Sequence, residues 1–406
     1  MTRCCGNPGP RNRPCGATPA KGDSRLGWFA DMLGHCVEYA GAQRDAGRPV
    51  VGIMCEYAPR ELIMAAGGVP VCLCGGSAAT IPAAERELPA GLCPLIKSTY
   101  GYYAQKSNPF LEMADLLVAE TTCDGKKKMF ELMSAGRQTY VLELPQKEGD
   151  PDALEHWKRE LEKFKRFLES RYAVGITGDK LRDAVRLMNR ERRARRELAA
   201  LMQSDQPPLT GRELLEFKST ISCIPESLDA YDAALATFRG NGAVADAASR
   251  VRVLVTGVPI VHGAERVMDI IEGSGGLVVC MENCTGLKPI LEDVDESAPD
   301  LMDALAEKYF RLPCSVKTPN HARTDSLRSL AVEYRPECVI DLIWQGCLTY
   351  DIETHWVRRL AEEELKLPFL RIETDYSPSD SARIAMRVEA LFETIRSRRA
   401  ERHGRE

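Results

Sequence analysis

At 406 residues and roughly 150 residues per domain, two or three domains are expected, each long enough to bury a core. The net charge of −5 and the 6% aromatic content exclude a nucleic-acid binder. The longest uncharged apolar stretches, such as Val253–Val261, fall well short of the roughly 18 residues of a spanning helix, and 44% apolar residues exclude a disordered chain.

Residues 1–24 are rich in Gly, Pro and Arg and read as a disordered leader, in which Cys4, Cys5 and Cys15 are incidental. Met1–Asp23 lacks the apolar core of a signal peptide, so a reducing cytoplasm is expected and disulfides are a poor use for the fifteen cysteines. Residues 25–48 read as an N-terminal helix, from the helical spacing of Leu26 to Ala46. A first α/β domain is expected over 49–150. Its strands are Val50–Met54, Val69–Leu73, Asp115–Ala119 and Thr139–Leu142, with helices over Pro59–Gly67 and Gly125–Ala135. From 151 to 245 strand signals vanish, and Trp157, Leu161, Phe164 and Leu168 recur at helical spacing, which predicts a helical region. Residues 246–406 repeat the α/β layout. Strands are expected at Val251–Val255, Gly276–Met281, Cys338–Trp344 and Phe369–Glu373, and helices at Ala264–Gly273, Leu301–Tyr309, Thr324–Tyr334, Glu353–Leu365 and from Ser379. The fold class is α/β: two Rossmann-like parallel-sheet domains with a helical insert between them.

Cys55, Cys123, Cys284 and Cys347 each fall just past a predicted strand. In an open parallel sheet the carboxyl edge is where loops converge and helix N-termini point, which favours ligands and thiolates there. Cys93 before Pro94 and Cys314 after Pro313 lie in loops with no pattern that demands a small apolar residue, giving three cysteines per half. Cys36, Cys72, Cys74, Cys223, Cys280 and Cys338 read as small core hydrophobes. No Cys-x-x-Cys pair occurs and the six histidines do not pair with cysteines at finger spacing, which disfavours zinc. Three sulfurs from protein leave one iron of a cubane open to water, substrate or a bridging sulfide.

Long stretches carry a resemblance. Gly52-Ile53-Met54-Cys55-Glu56-Tyr57-Ala58-Pro59-Arg60-Glu61-Leu62-Ile63, Cys93-Pro94-Leu95-Ile96-Lys97-Ser98-Thr99-Tyr100, Glu120-Thr121-Thr122-Cys123-Asp124-Gly125-Lys126-Lys127-Lys128, Met281-Glu282-Asn283-Cys284-Thr285-Gly286 and Trp344-Gln345-Gly346-Cys347 together resemble the double-cubane cluster proteins. These belong to the superfamily of 2-hydroxyacyl-CoA dehydratases and benzoyl-CoA reductases. The resemblance matches Cys93, Cys123 and Cys347 to the three sulfurs that hold one cubane across the superfamily, and Cys55, Cys284 and Cys314 to the extra set of the double-cubane group. It implies an 8Fe-9S double cubane, with a single 4Fe-4S cluster as the alternative. The implied protein is a homodimeric, oxygen-sensitive cytoplasmic reductase of a small molecule, fed electrons by an ATP-hydrolysing iron-sulfur activator protein. The rival functions are a dehydratase-type subunit with one cubane acting on an acyl-CoA thioester, and an electron carrier without a substrate.

Gly125-Lys126 lacks the first glycine of a P-loop, because Glu120 stands there, and Gly273-Ser274-Gly275-Gly276 completes no dinucleotide fingerprint, so ATP is expected to be handled by the partner. Lys126, Lys127 and Lys128 open a helix directly after Cys123; a solvated helix start and charge compensation of an anionic group both account for them, as they do for Lys97 and Lys288. The five arginines between Asn189 and Arg196 are expected on an exposed helix face. His355 and His321 are the best-placed proton donors by sequence, though an ordinary polar role accounts for each, and Glu56 and Glu282, close to Cys55 and Cys284, are comparable candidates.

Overall fold

The computed structural model describes residues 25–403; the expected leader, residues 1–24, lies outside them. In chain order the elements of the first half are α1 (Met32–Asp45), β1 (Val50–Ile53), α2 (Arg60–Ala65), β2 (Val69–Cys72), α3 (Ile81–Ala84), α4 (Pro94–Gln105), α5 (Pro109–Met113), β3 (Leu116–Glu120), α6 (Asp124–Ser134) and β4 (Thr139–Leu142). Four helices follow, α7 (Ala153–Tyr172), α8 (Gly178–Ala200), α9 (Gly211–Glu216) and α10 (Pro225–Gly240). The second half contains β5 (Val251–Gly257), α11 (Arg266–Gly273), β6 (Gly276–Glu282), α12 (Leu301–Phe310), α13 (His321–Tyr334), β7 (Cys338–Trp344), α14 (Leu348–Arg359), β8 (Phe369–Thr374) and α15 (Ser381–His403).

The strands form two four-stranded sheets, ordered β2-β1-β3-β4 and β6-β5-β7-β8, and every pairing within them is parallel. The fold is α/β with two Rossmann-like sheets. Strands β1, β3, β5, β6 and β7 are buried almost throughout, as the apolar β-branched runs Val50-Val51 and Val253-Leu254-Val255 require of strands covered on both faces. The strand order places a switch point between β1 and β3 in the first sheet and between β5 and β7 in the second. Beyond the carboxyl ends of those strands the connections diverge and leave a crevice.

Helix α7 buries Trp157, Leu161, Phe164 and Leu168 completely, as their spacing predicts. Helix α4 is an element that the sequence pattern does not reveal: Pro94 is its first residue, and Cys93 sits at its N-terminal boundary rather than in a plain loop. Helix α14 starts at Leu348, directly after Cys347, earlier than the expected Glu353. One core joins both sheets, from Val50 and Leu117 to Val253 and Trp344. A second covers the far side of the first sheet with residues of α7, α8 and α12. Among the described residues no helix is long and apolar enough to cross a membrane.

Candidate metal centre

The carboxyl edges of the two sheets open onto one cleft of about 1610 Å³. Cys55 follows β1, Cys123 follows β3, Cys284 follows β6 and Cys347 follows β7, while Cys93 precedes α4 and Cys314 follows α12. All six line the cleft.

The electrostatic contacts sort them into two sets. Cys93 and Cys347 are near enough to shift each other's ionisation, and Cys123 interacts with both. Cys55 feels both Cys284 and Cys314, and Cys284 feels Cys314. Each set therefore takes sulfurs from both halves of the chain: Cys93 and Cys123 with Cys347, and Cys55 with Cys284 and Cys314.

Burial pushes the thiols of Cys55, Cys123 and Cys314 up, and that of Cys284 to about 11. Cys93 is held down, chiefly by the neighbouring Cys347 thiol. Cations oppose the burial: Lys126 acts on Cys55 and Cys123, and Lys288 on Cys284 and Cys314. Lys126 is itself fixed by an ion pair with buried Glu120 and a 3.1 Å hydrogen bond to the Met54 carbonyl. Lys288, 3% exposed, donates to the Tyr350 hydroxyl at 3.0 Å and pairs with Glu282 at 3.1 Å. Lys127 and Lys128, by contrast, pair on the surface with Asp124 and Glu131, and Lys97 bonds Glu85 and the Ala90 carbonyl.

The donor set fits a polynuclear iron-sulfur group better than a single ion. Among the described residues no three cysteine sulfurs lie within 4.8 Å of one another. A tetrahedral ion with sulfur ligands at about 2.3 Å would draw them closer than that. Two sets of three soft donors around an open volume, with Lys126 in its wall and the buried Lys288 behind it, suit a larger anionic inorganic core.

Several expectations need correction. Cys72, the last residue of β2, and Cys74 are partly exposed and line the cleft as well, although Cys74 also packs against the core; β2 is an edge strand that stops at Cys72, so its end opens into the same space. His321 and His355 are exposed and do not line the cleft, because α13 and α14 turn those positions to solvent. The histidine that does line it is His262, in the loop after β5, whose Nε2 donates to the Lys218 carbonyl at 3.0 Å. Its position past a strand end is the signal by which it could have been found. Glu56 borders the cleft as a carboxylate: burial raises its acid value, but Arg60 and Lys218 hold it well below the usual carboxylate range, so it is no proton donor near neutrality. Glu282 is fully buried against Lys288 and Thr256 and does not reach the cleft. The arginine run is not all solvated either, since Arg192 is 3% exposed and ion-paired with Glu61 at 2.5 Å.

The sequence profile of the 2-hydroxyglutaryl-CoA dehydratase D-component matches residues 55–395. The chain belongs to that family. It is 40% identical over 358 residues, 87% of this chain and 93% of the relative, to YjiM of Escherichia coli (strain K12), which carries the name of a dehydratase subunit. It is 22% identical over 376 residues, 86% of this chain and 92% of the relative, to the (R)-phenyllactyl-CoA dehydratase beta subunit of Clostridium sporogenes. It is also 25% identical over 178 residues, 40% of this chain and 45% of the relative, to one of the subunits of benzoyl-CoA reductase from Thauera aromatica. The superfamily inferred from the cysteine stretches is the one to which these relatives belong.

Proposed function

We propose that this protein is an iron-sulfur reductase in which Cys93, Cys123 and Cys347 hold one cubane and Cys55, Cys284 and Cys314 a second, the two joined as an 8Fe-9S double cubane. The observation that carries the proposal is the lining of one cleft by all six sulfurs in two sets of three, each set drawn from both halves of the chain. When bound, such a cluster supplies low-potential electrons to a small molecule. The chain's own residues do the rest. Lys126 and Lys288 offset the negative charge of the thiolates, Lys218 fixes the Cys284 carbonyl through a 2.6 Å hydrogen bond, and the loops after β1, β3 and β7 set the sulfurs. His262 stands in the cleft wall, held by its Nε2 donating to the Lys218 carbonyl and its Nδ1 3.8 Å from the Glu265 carboxylate.

The reading makes the protein a cytoplasmic, oxygen-sensitive homodimer that receives its electrons from an ATP-hydrolysing iron-sulfur activator protein. The names of the relatives favour a second reading, a dehydratase-type subunit in which only Cys93, Cys123 and Cys347 hold a cubane.

Anaerobic purification with iron and sulfide analysis separates the two. The double cubane gives about eight irons per chain and the single cubane about four, by the stoichiometry of the clusters. Cys284→Ala is expected to lose iron under the first reading. Wild-type protein with about four irons, or a Cys284→Ala variant with its full complement, overturns it.

A further inference from the structure

Cys72 and Cys74 are two cleft thiols that the proposed centre does not use. In extended chain residues two apart point to the same face, so both sulfurs of Cys72-Leu73-Cys74 face the cleft. Both side chains are partly exposed. The neighbouring Cys74 and the charge of Lys218 both favour the Cys72 thiolate. Edge strand β2 is pinned here: the Cys72 amide donates to the Thr220 carbonyl at 2.9 Å, and Val71 bridges Ile221. That clamp brings Lys218, two residues before Thr220, close enough for its charge to favour the Cys72 thiolate. Cys74 lies on the other side, its thiol donating to the Met54 carbonyl at 3.5 Å, the same carbonyl that Lys126 bonds. The arrangement supplies an attacking thiolate, a resolving thiol two residues away on the same face, and an open approach.

We propose that Cys72 and Cys74 form a redox-active dithiol that closes to a disulfide by exchange with a low-mass disulfide entering the cleft. The Cys72 sulfur attacks one sulfur of the incoming disulfide, whose S–S bond breaks and releases one thiol. The Cys74 sulfur then attacks Cys72 in the mixed disulfide, and the second thiol leaves. One intramolecular S–S bond forms and one external S–S bond is lost. The cysteine pair gives up two electrons and two protons, and both go to the two released thiols. Two residues of extended chain separate Cα atoms by roughly 6.6–7.2 Å, a range that straddles the upper limit of about 6.8 Å usual for disulfides, so the bond is readily reopened by thiols. Closing it removes the free thiol beside Met54, the residue that precedes Cys55, and couples the thiol state of the cleft to that cysteine set.

Cleavage after Arg60 and Arg86 isolates residues 61–86, whose only cysteines are these two. The full-length protein, purified without oxygen, is treated with glutathione disulfide, quenched, alkylated with N-ethylmaleimide and digested with trypsin. The expected 61–86 peptide is two hydrogens lighter and unalkylated, and dithiothreitol restores double alkylation. In Cys74→Ser the reaction is expected to stop at one glutathione adduct on Cys72, with the iron content of the wild type. A doubly alkylated wild-type peptide after treatment, a wild type that halts at the adduct, or loss of iron in Cys74→Ser overturns the proposal. The total iron of the untreated wild type tests the cluster assignment separately.

Discussion

Burial holds the Cys55, Cys123, Cys284 and Cys314 thiols in their neutral form around neutrality, with Cys284 pushed up to about 11. A metal binds the thiolate, so each ligand must give up its proton as the cluster forms. Raised acid values make that release costlier at low pH. Cluster assembly from ferrous iron and sulfide is therefore expected to become more complete as pH rises from about 7 to 9, read as iron bound per chain at fixed reagent concentrations. A flat profile would count against these cysteines as the ligands. Lys288→Met removes the buried cation that favours the Cys284 and Cys314 thiolates, and is expected to move the profile to higher pH. At this scale the sequence is most informative where position carries the chemistry, because a cysteine just past a strand end has no packing reason to be there. Cys72 is misread for the same reason inverted: it terminates an apolar run, Val69-Pro70-Val71-Cys72, and nothing local says that the run ends at an open cleft. Arg192 is misread because an arginine that meets a distant carboxylate, Glu61, looks in sequence like any member of a charged helix.

The elements that carry the cysteines meet across glycines. Gly346 turns the chain between β7 and α14 with φ +75°, and a Cβ there would stand 2.2 Å from the Gly91 carbonyl oxygen and 3.2 Å from the Cys93 amide nitrogen. Gly346 thus lets the loop of the second half approach the loop of the first closely enough for Cys347 to reach Cys93. Gly346→Ala faces both a left-handed backbone and a collision with main chain, a strain on the order of 1–3 kcal/mol before any relaxation. The variant is expected to fold with a lowered denaturation midpoint and to lose iron, since relief of the clash separates Cys93 from Cys347. Unchanged iron and midpoint would show that the approach of the two loops is not what brings these sulfurs together. Strands are legible because their β-branched runs are continuous, and β7 is read over its full extent, Cys338–Trp344. Helix α4 is hidden by Ser98, Thr99 and Gly101, poor helix formers placed where the helix packs on Thr80: a Cβ at Gly101 would lie 2.0 Å from the Thr80 carbonyl oxygen. The start of α14 is hidden because Leu348 and Ile352, 69% and 71% exposed, break the polar-out pattern of a surface helix.

The halves of the molecule are interlocked as well as apposed. Helix α12 comes from the second half of the chain, yet it packs on α7 and α8 over the far face of the first sheet. A buried polar joint fastens it there. Glu61 of α2, fully buried, accepts hydrogen bonds from Arg192 of α8 at 2.5 Å and from the Tyr309 hydroxyl of α12 at 2.7 Å. Burial raises the acid value of Glu61, but Arg192 and Tyr309 more than offset this and hold it below its ordinary value. A carboxylate depressed in the folded state stabilises the fold above its unfolded value of about 4.3, and that contribution is lost as pH falls below it toward the folded value. Arg192→Met leaves Glu61 buried without its cation and is expected to cost about 3–5 kcal/mol near neutral pH. Glu61→Gln combined with Arg192→Met removes both charges and should recover part of that loss. Denaturant midpoints measured without oxygen at pH 7 and at successively lower pH below about 4.5 test both points. The wild type should lose more stability over the acid range than the double variant, which lacks the titrating carboxylate. If the two fall in parallel, Glu61 is not the group that ties α2, α8 and α12 together, and the orientation of the second half on the first sheet must be held by the apolar contacts of α12 alone.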